Sequence, residues 1–162
     1  MAIGAGVTPA DWECPSCGET NSTKRTGRAR FCDDCKTARS LYRTTAANLR
    51  SGFNRTNKGS CELEMDIDEF CKWRKEQILK CHYCGITEAQ IPQVRMKSQI
   101  QRDVRVMGVD RLDSSKGYTA DNLAPCCFVC NQIKGDRFSE EEMKQIGAGI
   151  TAVWEKRLEE LG

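Results

Sequence analysis

The sequence predicts a small α+β fold held together by metal rather than by a large apolar core, and three observations carry that prediction. Four Cys-x-x-Cys pairs recur along the chain: Cys14/Cys17, Cys32/Cys35, Cys81/Cys84 and Cys127/Cys130. Hydrophobic residues make up 39% and aromatic residues 7% of the 162 residues, which is lean for a core of that size. Short stretches of period-two alternation are interspersed with segments of helical spacing, without any long apolar run.

Two thiolates separated by two residues grip one metal ion from a tight knuckle, and two knuckles complete a tetrahedral shell. Four knuckles therefore give two structural Zn²⁺ sites, one on Cys14, Cys17, Cys32 and Cys35, the other on Cys81, Cys84, Cys127 and Cys130. Each structural zinc contributes about 10–16 kcal/mol of apparent binding free energy to folding, which offsets the lean core. Cys126 competes with Cys127 as a ligand, but only Cys127 keeps the two-residue spacing to Cys130. Disulfides are the other use for eleven cysteines. The odd count, the spacing and a start without a basic signal region favour metal and a reducing, cytoplasmic compartment. No apolar run approaches the ~20 residues of a membrane span, so no membrane partner is expected.

The formal net charge of +2 decides little. A zinc held by four thiolates carries a charge of about −2, so loading both sites makes the chain mildly acidic. Segregation is more informative. Between Lys24 and Lys58 there are ten basic residues against Asp33 and Asp34, whereas from Ser139 onward six glutamates face three bases. One end suits a polyanion and the other does not.

In order along the chain, residues 1–11 read as a flexible tail and 12–60 as an N-terminal zinc module with a basic helix and loop. Residues 61–138 read as a core around the second zinc site, and 139–162 as a C-terminal helix. Residues 37–51 lack Gly and Pro and predict a helix ending at Gly52. On it Arg39, Arg43 and Arg50 fall close to one face. With Arg28 and Arg30 before it, and Arg55 and Lys58 after it, these arginines are candidate phosphate contacts. Cys61–Met65 alternates like a short strand, and Asp66 with Glu69 forms a capping-box start for a helix over 67–79. Ile67, Phe70, Cys71 and Ile78 are its expected buried face. Cys61 and Cys71 lack a two-residue partner and read as small core residues. Residues 86–104 are polar and weakly basic, an irregular arm. Ser139 opens the last helix, whose stripe of Met143, Ile146, Ile150, Val153, Trp154, Leu158 and Leu161 reads as core, with a dimer contact through Trp154 as the other possibility.

The second zinc site brackets a dense, ordered pattern. It comprises Val109-Asp110-Arg111-Leu112-Asp113, Gly117-Tyr118, Asp121-Asn122-Leu123 and Cys127-Phe128-Val129-Cys130-Asn131-Gln132-Ile133-Lys134. This pattern resembles the HNH, or ββα-metal, nuclease motif in its four-cysteine form. A restriction-enzyme member of that family also has Cys-x-Tyr-Cys, Val-Asp-Arg and Phe-Ser-x-x-Glu-Met, and has no histidine beside its tyrosine. These are matched here by Cys81-His82-Tyr83-Cys84, Val109-Asp110-Arg111 and Phe138-Ser139-Glu140-Glu141-Glu142-Met143. Phage-borne homing endonucleases share the Val-Asp-Arg to Cys-x-x-Cys-Asn pattern, so restriction and homing roles are both open. The resemblance spans most of residues 12–155 and implies a ββα-metal fold and a microbial or phage-encoded protein.

Cleaving a phosphodiester needs a hard cation on the scissile phosphate and a group that activates water. Mg²⁺ (or Mn²⁺) prefers oxygen ligands and keeps waters, so one carboxylate and one amide oxygen suffice. Asp110 at the end of one strand and Asn131 at the start of a helix suit that pair, and they match the family's metal positions. Asn122 matches the asparagine that braces the family's hairpin. The family's usual histidine base is replaced by Arg111, whose guanidinium stays protonated with a pKa above ~12 and is suited to clamping phosphate instead. The base must then come from the neighbouring knuckle. His82, with a reference pKa of ~6.5, is the better base on chemistry alone. Tyr83, at ~10, is nearly all neutral at pH 7. The restriction-enzyme resemblance points to Tyr83.

The expected function is a site-specific, metal-dependent endonuclease on double-stranded DNA, working as a homodimer because one such centre cuts one strand. A non-catalytic zinc-dependent DNA-binding regulator and a monomeric nicking or branched-DNA nuclease are the competing readings.

Overall fold

The structure is a computed structural model and describes residues 11–22, 31–50, 63–98, 100 and 102–161. Its elements are β1 (Trp12–Glu13), β2 (Thr20–Asn21), α1 (Asp33–Arg50), α2 (Ile67–Glu76), β3 (Gly108–Arg111), β4 (Leu123–Cys126), α3 (Phe128–Lys134) and α4 (Glu140–Glu159), with a 3₁₀ turn at Glu88–Gln90. The strands form two antiparallel hairpins, β1–β2 and β3–β4, the latter in the register Asp110 opposite Ala124 and Gly108 opposite Cys126. The described part is a mixed helix and small-sheet fold, as the sequence predicts.

Both four-cysteine groups are assembled from the same two pieces. The first is a knuckle closed by glycine. Gly18 N–H donates to Cys14 O at 2.7 Å and Gly85 N–H to Cys81 O at 3.0 Å. Gly18 and Gly85 have φ of 72° and 71°, a region that a side chain disfavours. The second piece is a knuckle that enters a helix. Cys35 N–H donates to Cys32 Sγ at 3.4 Å as α1 begins, and Cys130 N–H to Cys127 Sγ at 3.5 Å as α3 begins. Helix-entry N–H groups favour the thiolate form that zinc requires. In each group the four sulfurs lie within 4.8 Å of one another, which fits a four-cysteine zinc site. Cys127, as the N-cap of α3, is in the second group; Cys126, fully buried on β4, lies outside it.

Two apolar clusters flank the β3–β4 hairpin. One joins the first cysteine group to Met65, Phe70, Trp73, Val109 and Leu123; the other joins the second group to Ile91, Val94, Met96, Met107, Met143 and Trp154. In a strand neighbouring side chains face opposite ways. Val109 therefore enters the first cluster while Asp110 faces the other side.

Several expectations are corrected. The first helix begins at Asp33 rather than 37, because the Cys32–Cys35 knuckle is already its first turn. The capping box of Asp66 and Glu69 is present, but α2 stops at Glu76, where Gln77 turns extended (ψ 143°). Ile78 consequently falls off the buried face and is 84% exposed. The supposed irregular arm carries Ile86, Ile91, Val94 and Met96 into the core, and Lys97 pairs with Asp103 across an antiparallel bridge. Val153 on α4 and Leu161 just beyond its end are exposed, and Trp154 is buried within the chain. Of the stretch 61–65, Leu63 forms a bridge to Tyr118, and residues 61 and 62 lie outside the described set. Residues 1–10 and 23–30 also lie outside it.

Metal analysis of the purified chain is expected to find two zinc ions. Cys126→Ser is expected to keep both, whereas Cys127→Ser loses one; a loss with Cys126→Ser would reverse the ligand choice.

Candidate active site

The hairpin, α3 and the Cys81–Cys84 knuckle meet around Asp110. Its side chain is 6% exposed, and its Oδ2 accepts from the Tyr83 hydroxyl at 2.6 Å and lies 3.1 Å from Lys134 Nζ. Burial, the largest influence, pushes the Asp110 carboxyl above its ordinary pKa, opposed by Tyr83 and Lys134. The Tyr83 phenol is also pushed up, first by burial and then by its bond to Asp110. As placed, Tyr83 therefore holds its proton and gives it in a hydrogen bond to Asp110.

Asn131 comes to the same place from α3. Because α3 starts at Phe128, Asn131 sits a turn into the helix rather than at its start. Its Nδ2 donates to Val109 O at 3.0 Å, next to Asp110 on β3. The donor end of the amide is thereby used, and the oxygen is the end a cation would take. A carboxylate and an amide oxygen form a hard donor set of the kind Mg²⁺ accepts.

Asn122 acts as the internal brace of the hairpin loop. Its Oδ1 accepts from Asp113 N–H at 2.9 Å, and its Nδ2 donates to Asp113 O at 3.1 Å and Gly117 O at 2.8 Å. Arg111 is drawn into the same loop, donating to Lys116 O at 2.9 Å with its guanidinium 5.2 Å from the Tyr118 ring centre. His82 stands beside Tyr83, ring centres 5.1 Å apart, and its Nε2 meets Glu140 Oε1 at 2.7 Å.

The sequence-expected phosphate contacts divide. Arg43 is exposed on α1. Arg39 is committed inside the chain: it donates to Asp68 Oδ1 at 2.6 Å and Ser16 Oγ at 2.8 Å, tying α1 to α2. The short carboxylate contact engages that guanidinium within the chain as an interhelix tie. Arg28, Arg30, Arg55 and Lys58, with the side chain of Arg50, lie outside the described residues.

Sequence reasoning missed Lys134. It is fully buried, pairs with Asp110, and donates to Arg111 O at 2.7 Å and Ser114 Oγ at 3.2 Å. Its signal was the spacing from Asn131, which puts both on one face of α3. Glu140 was missed too, since its partner lies 58 residues away.

No family model matches the chain, and no curated protein does. Among solved structures, the rare-cutting HNH restriction endonuclease PacI, described for its mechanism of DNA perturbation, is similar. The match has a TM-score of 0.61 and 26% identity, covering 90% of this chain and 96% of PacI. The fold is the HNH fold. Within it, β3, β4 and α3 are the two strands and the helix of the ββα-metal unit, and the second cysteine group clamps that unit to the knuckle carrying Tyr83.

In this HNH unit a buried ammonium that loses its place leaves a buried carboxylate unpaired, which costs about 3–5 kcal/mol. Lys134→Met is expected to lower stability by that amount in urea unfolding with zinc present. A change under ~1 kcal/mol would reduce the pair to the value of a surface ion pair.

Proposed function

We propose that this protein is a metal-dependent, site-specific endonuclease that hydrolyses phosphodiester bonds in double-stranded DNA. The observation that carries the reading is the convergence of Asp110, Asn131 and Tyr83, from strand, helix and knuckle, in an HNH fold like that of PacI. The regulator reading needs the cysteines and the basic segment but gives no reason for these three to converge.

Asp110 and the Asn131 amide oxygen would hold Mg²⁺ or Mn²⁺. When bound, that ion supplies charge stabilisation at the scissile phosphate and the leaving oxygen. The chain's own groups do the rest. Asn131 is oriented by Val109 O, and Asn122 keeps the hairpin loop in shape. Lys134 and Arg111 add positive charge around the strand end. Tyr83 is the group on the knuckle in direct reach of Asp110, and we assign it to the proton transfer from water. It can take that proton only as phenolate: its own proton must first pass to solvent once Asp110 is engaged elsewhere, and taking one from water then restores the phenol.

A second assignment has its own support. His82 Nε2–H donating to Glu140 leaves Nδ1 with the lone pair, the arrangement of an imidazole oriented by a carboxylate. Arg43 and the basic segment 24–58 are the proposed backbone-contacting surface. A homodimer would place one centre on each strand. Restriction and homing roles share this chemistry.

Supercoiled plasmid carrying sites selected from a randomised library separates the readings. Discrete linear product with Mg²⁺, lost with EDTA and with Asp110→Ala, is expected. Open circles alone would mean a nickase, and uncut plasmid a regulator. Tyr83→Phe is expected to slow cleavage by about 10²–10⁴-fold, the usual contribution of a general acid or base. Near-normal turnover of Tyr83→Phe with that loss in His82→Ala would move the role to His82.

A further inference from the structure

Helix α4 packs on the Tyr83 knuckle in an unusual way, with backbone against backbone. At Gly147, a Cβ would lie 2.3 Å from Tyr83 O, 2.7 Å from Tyr83 C and 3.2 Å from Tyr83 Cβ. The closest of these distances leaves no room for a methyl group. Two neighbouring contacts bracket it on the same helix face. Glu140 Oε1 meets His82 Nε2 at 2.7 Å, and Thr151 Oγ1 lies 2.9 Å from both Cys84 O and Gly147 O, its one proton shared between the knuckle and its own helix. Positions 140, 147 and 151 follow the i, i+7, i+11 spacing of one helix face, and they meet three consecutive knuckle residues, His82, Tyr83 and Cys84. Gly149, one residue further along from Ala148, has nothing within 4 Å of its would-be Cβ. The close approach thus belongs to one glycine and does not extend to every glycine of the helix.

We propose that Gly147 is a positioning residue for the reaction: its missing side chain lets the knuckle settle on α4 at the depth where the Tyr83 hydroxyl reaches Asp110. The inference rests on the nuclease reading only for its catalytic consequence. Cys81 and Cys84 are tied at both ends of the knuckle by the cysteine group, so a methyl at position 147 has two outlets. Either the peptide between the cysteines lifts, or α4 backs away and gives up its contacts to His82 and Cys84. Both displace Tyr83, which is 7% exposed and held by a 2.6 Å bond. A misplacement of about 1 Å at a reacting group is enough to cost on the order of 10²-fold in rate.

The test compares Gly147→Ala with Gly149→Ala. Both replace a helical glycine by alanine and gain the same helix propensity, but only the first meets the knuckle. Tyrosine acetylation by N-acetylimidazole, mapped by peptide mass, reads the exposure of Tyr83 against Tyr118 as internal reference. Single-turnover cleavage and zinc content are measured on the same samples. Gly147→Ala is expected to raise Tyr83 labelling several-fold and lower kcat by about 10²-fold, with KM and two zinc ions retained. Gly149→Ala is expected to match the wild type. Thr151→Val, which removes the bond to Cys84 O without crowding, is expected to move labelling and kcat in the same direction by a smaller factor. It decides the matter if Gly147→Ala does not fold. Wild-type labelling and kcat in Gly147→Ala overturn the proposal, as they do in Thr151→Val when Gly147→Ala is unfolded. Equal effects in the Gly149→Ala control overturn it too. Labelling reports the position of Tyr83 whether or not DNA is cut, so a wild type without cleavage counts against the nuclease reading alone.

Discussion

The cluster of Cys81, Cys84, Cys127 and Cys130 is the constraint on which the candidate site depends. Its four sulfurs come from segments more than forty residues apart in sequence, and they lie within 4.8 Å of one another. One pair anchors the knuckle that carries Tyr83. The other pair follows β4 directly and opens α3, the helix that carries Asn131 and Lys134. With only 7% aromatic residues, the chain lacks the large side chains that could lock these segments by packing alone. A closed thiolate shell supplies that locking and leaves no open coordination position, so it serves as scaffold and not as a catalyst.

The β3–β4 hairpin converts this scaffold into a site by strand alternation. Val109 and Leu123 are buried in the cluster shared with α1 and α2, while Cys126, on the opposite face of the hairpin, belongs to the cluster shared with α4. Held between two cores, the hairpin has little freedom to slip, because a shift of one residue would exchange its buried and polar faces. The position of Asp110 is therefore a consequence of register. Arg74 reinforces it from α2: its guanidinium is buried, donates to Met107 O at 3.3 Å and pairs with Glu88 at 2.6 Å just ahead of the strand.

Much of this was legible in the sequence for local reasons. Cys-x-x-Cys spacing is a geometric rule, and the capping boxes at Asp66 and Ser139 lie within four residues, so each can be read without knowing the fold. The order Asp110, Asn122, Asn131 carried the candidate site in the same way. What could not be read depends on distant partners. Arg39 looks like one of a row of exposed arginines until Ser16 and Asp68 are seen beside it. Ile78 fits a helical stripe, but the helix ends before reaching it. The segment 86–104 looks like a loop because its apolar residues follow neither period, yet Ile91, Val94 and Met96 fill the space beneath α4. Gly147 carried no signal at all, since a glycine in a helix shows its reason only when the opposing backbone is in view.

Lys134 explains how a carboxylate can be buried against the hairpin without unfolding the site. An unpaired Asp110 at 6% exposure would be costly, and burial alone drives it towards its neutral form, which is a poor metal ligand. The ammonium at 3.1 Å and the phenol at 2.6 Å hold the carboxylate in place and offset part of that cost from within the chain. Lys134 is in turn held by Arg111 O and Ser114 Oγ, so its charge is buried but hydrogen-bonded. The thiolate shells thus serve the fold while Asp110 is satisfied by the chain's own groups, so on the proposed nuclease reading a hard cation would be needed for the reaction and not for folding. On that reading such an ion could bind weakly and keep its waters, as Mg²⁺ tends to, because the fold would not rely on it.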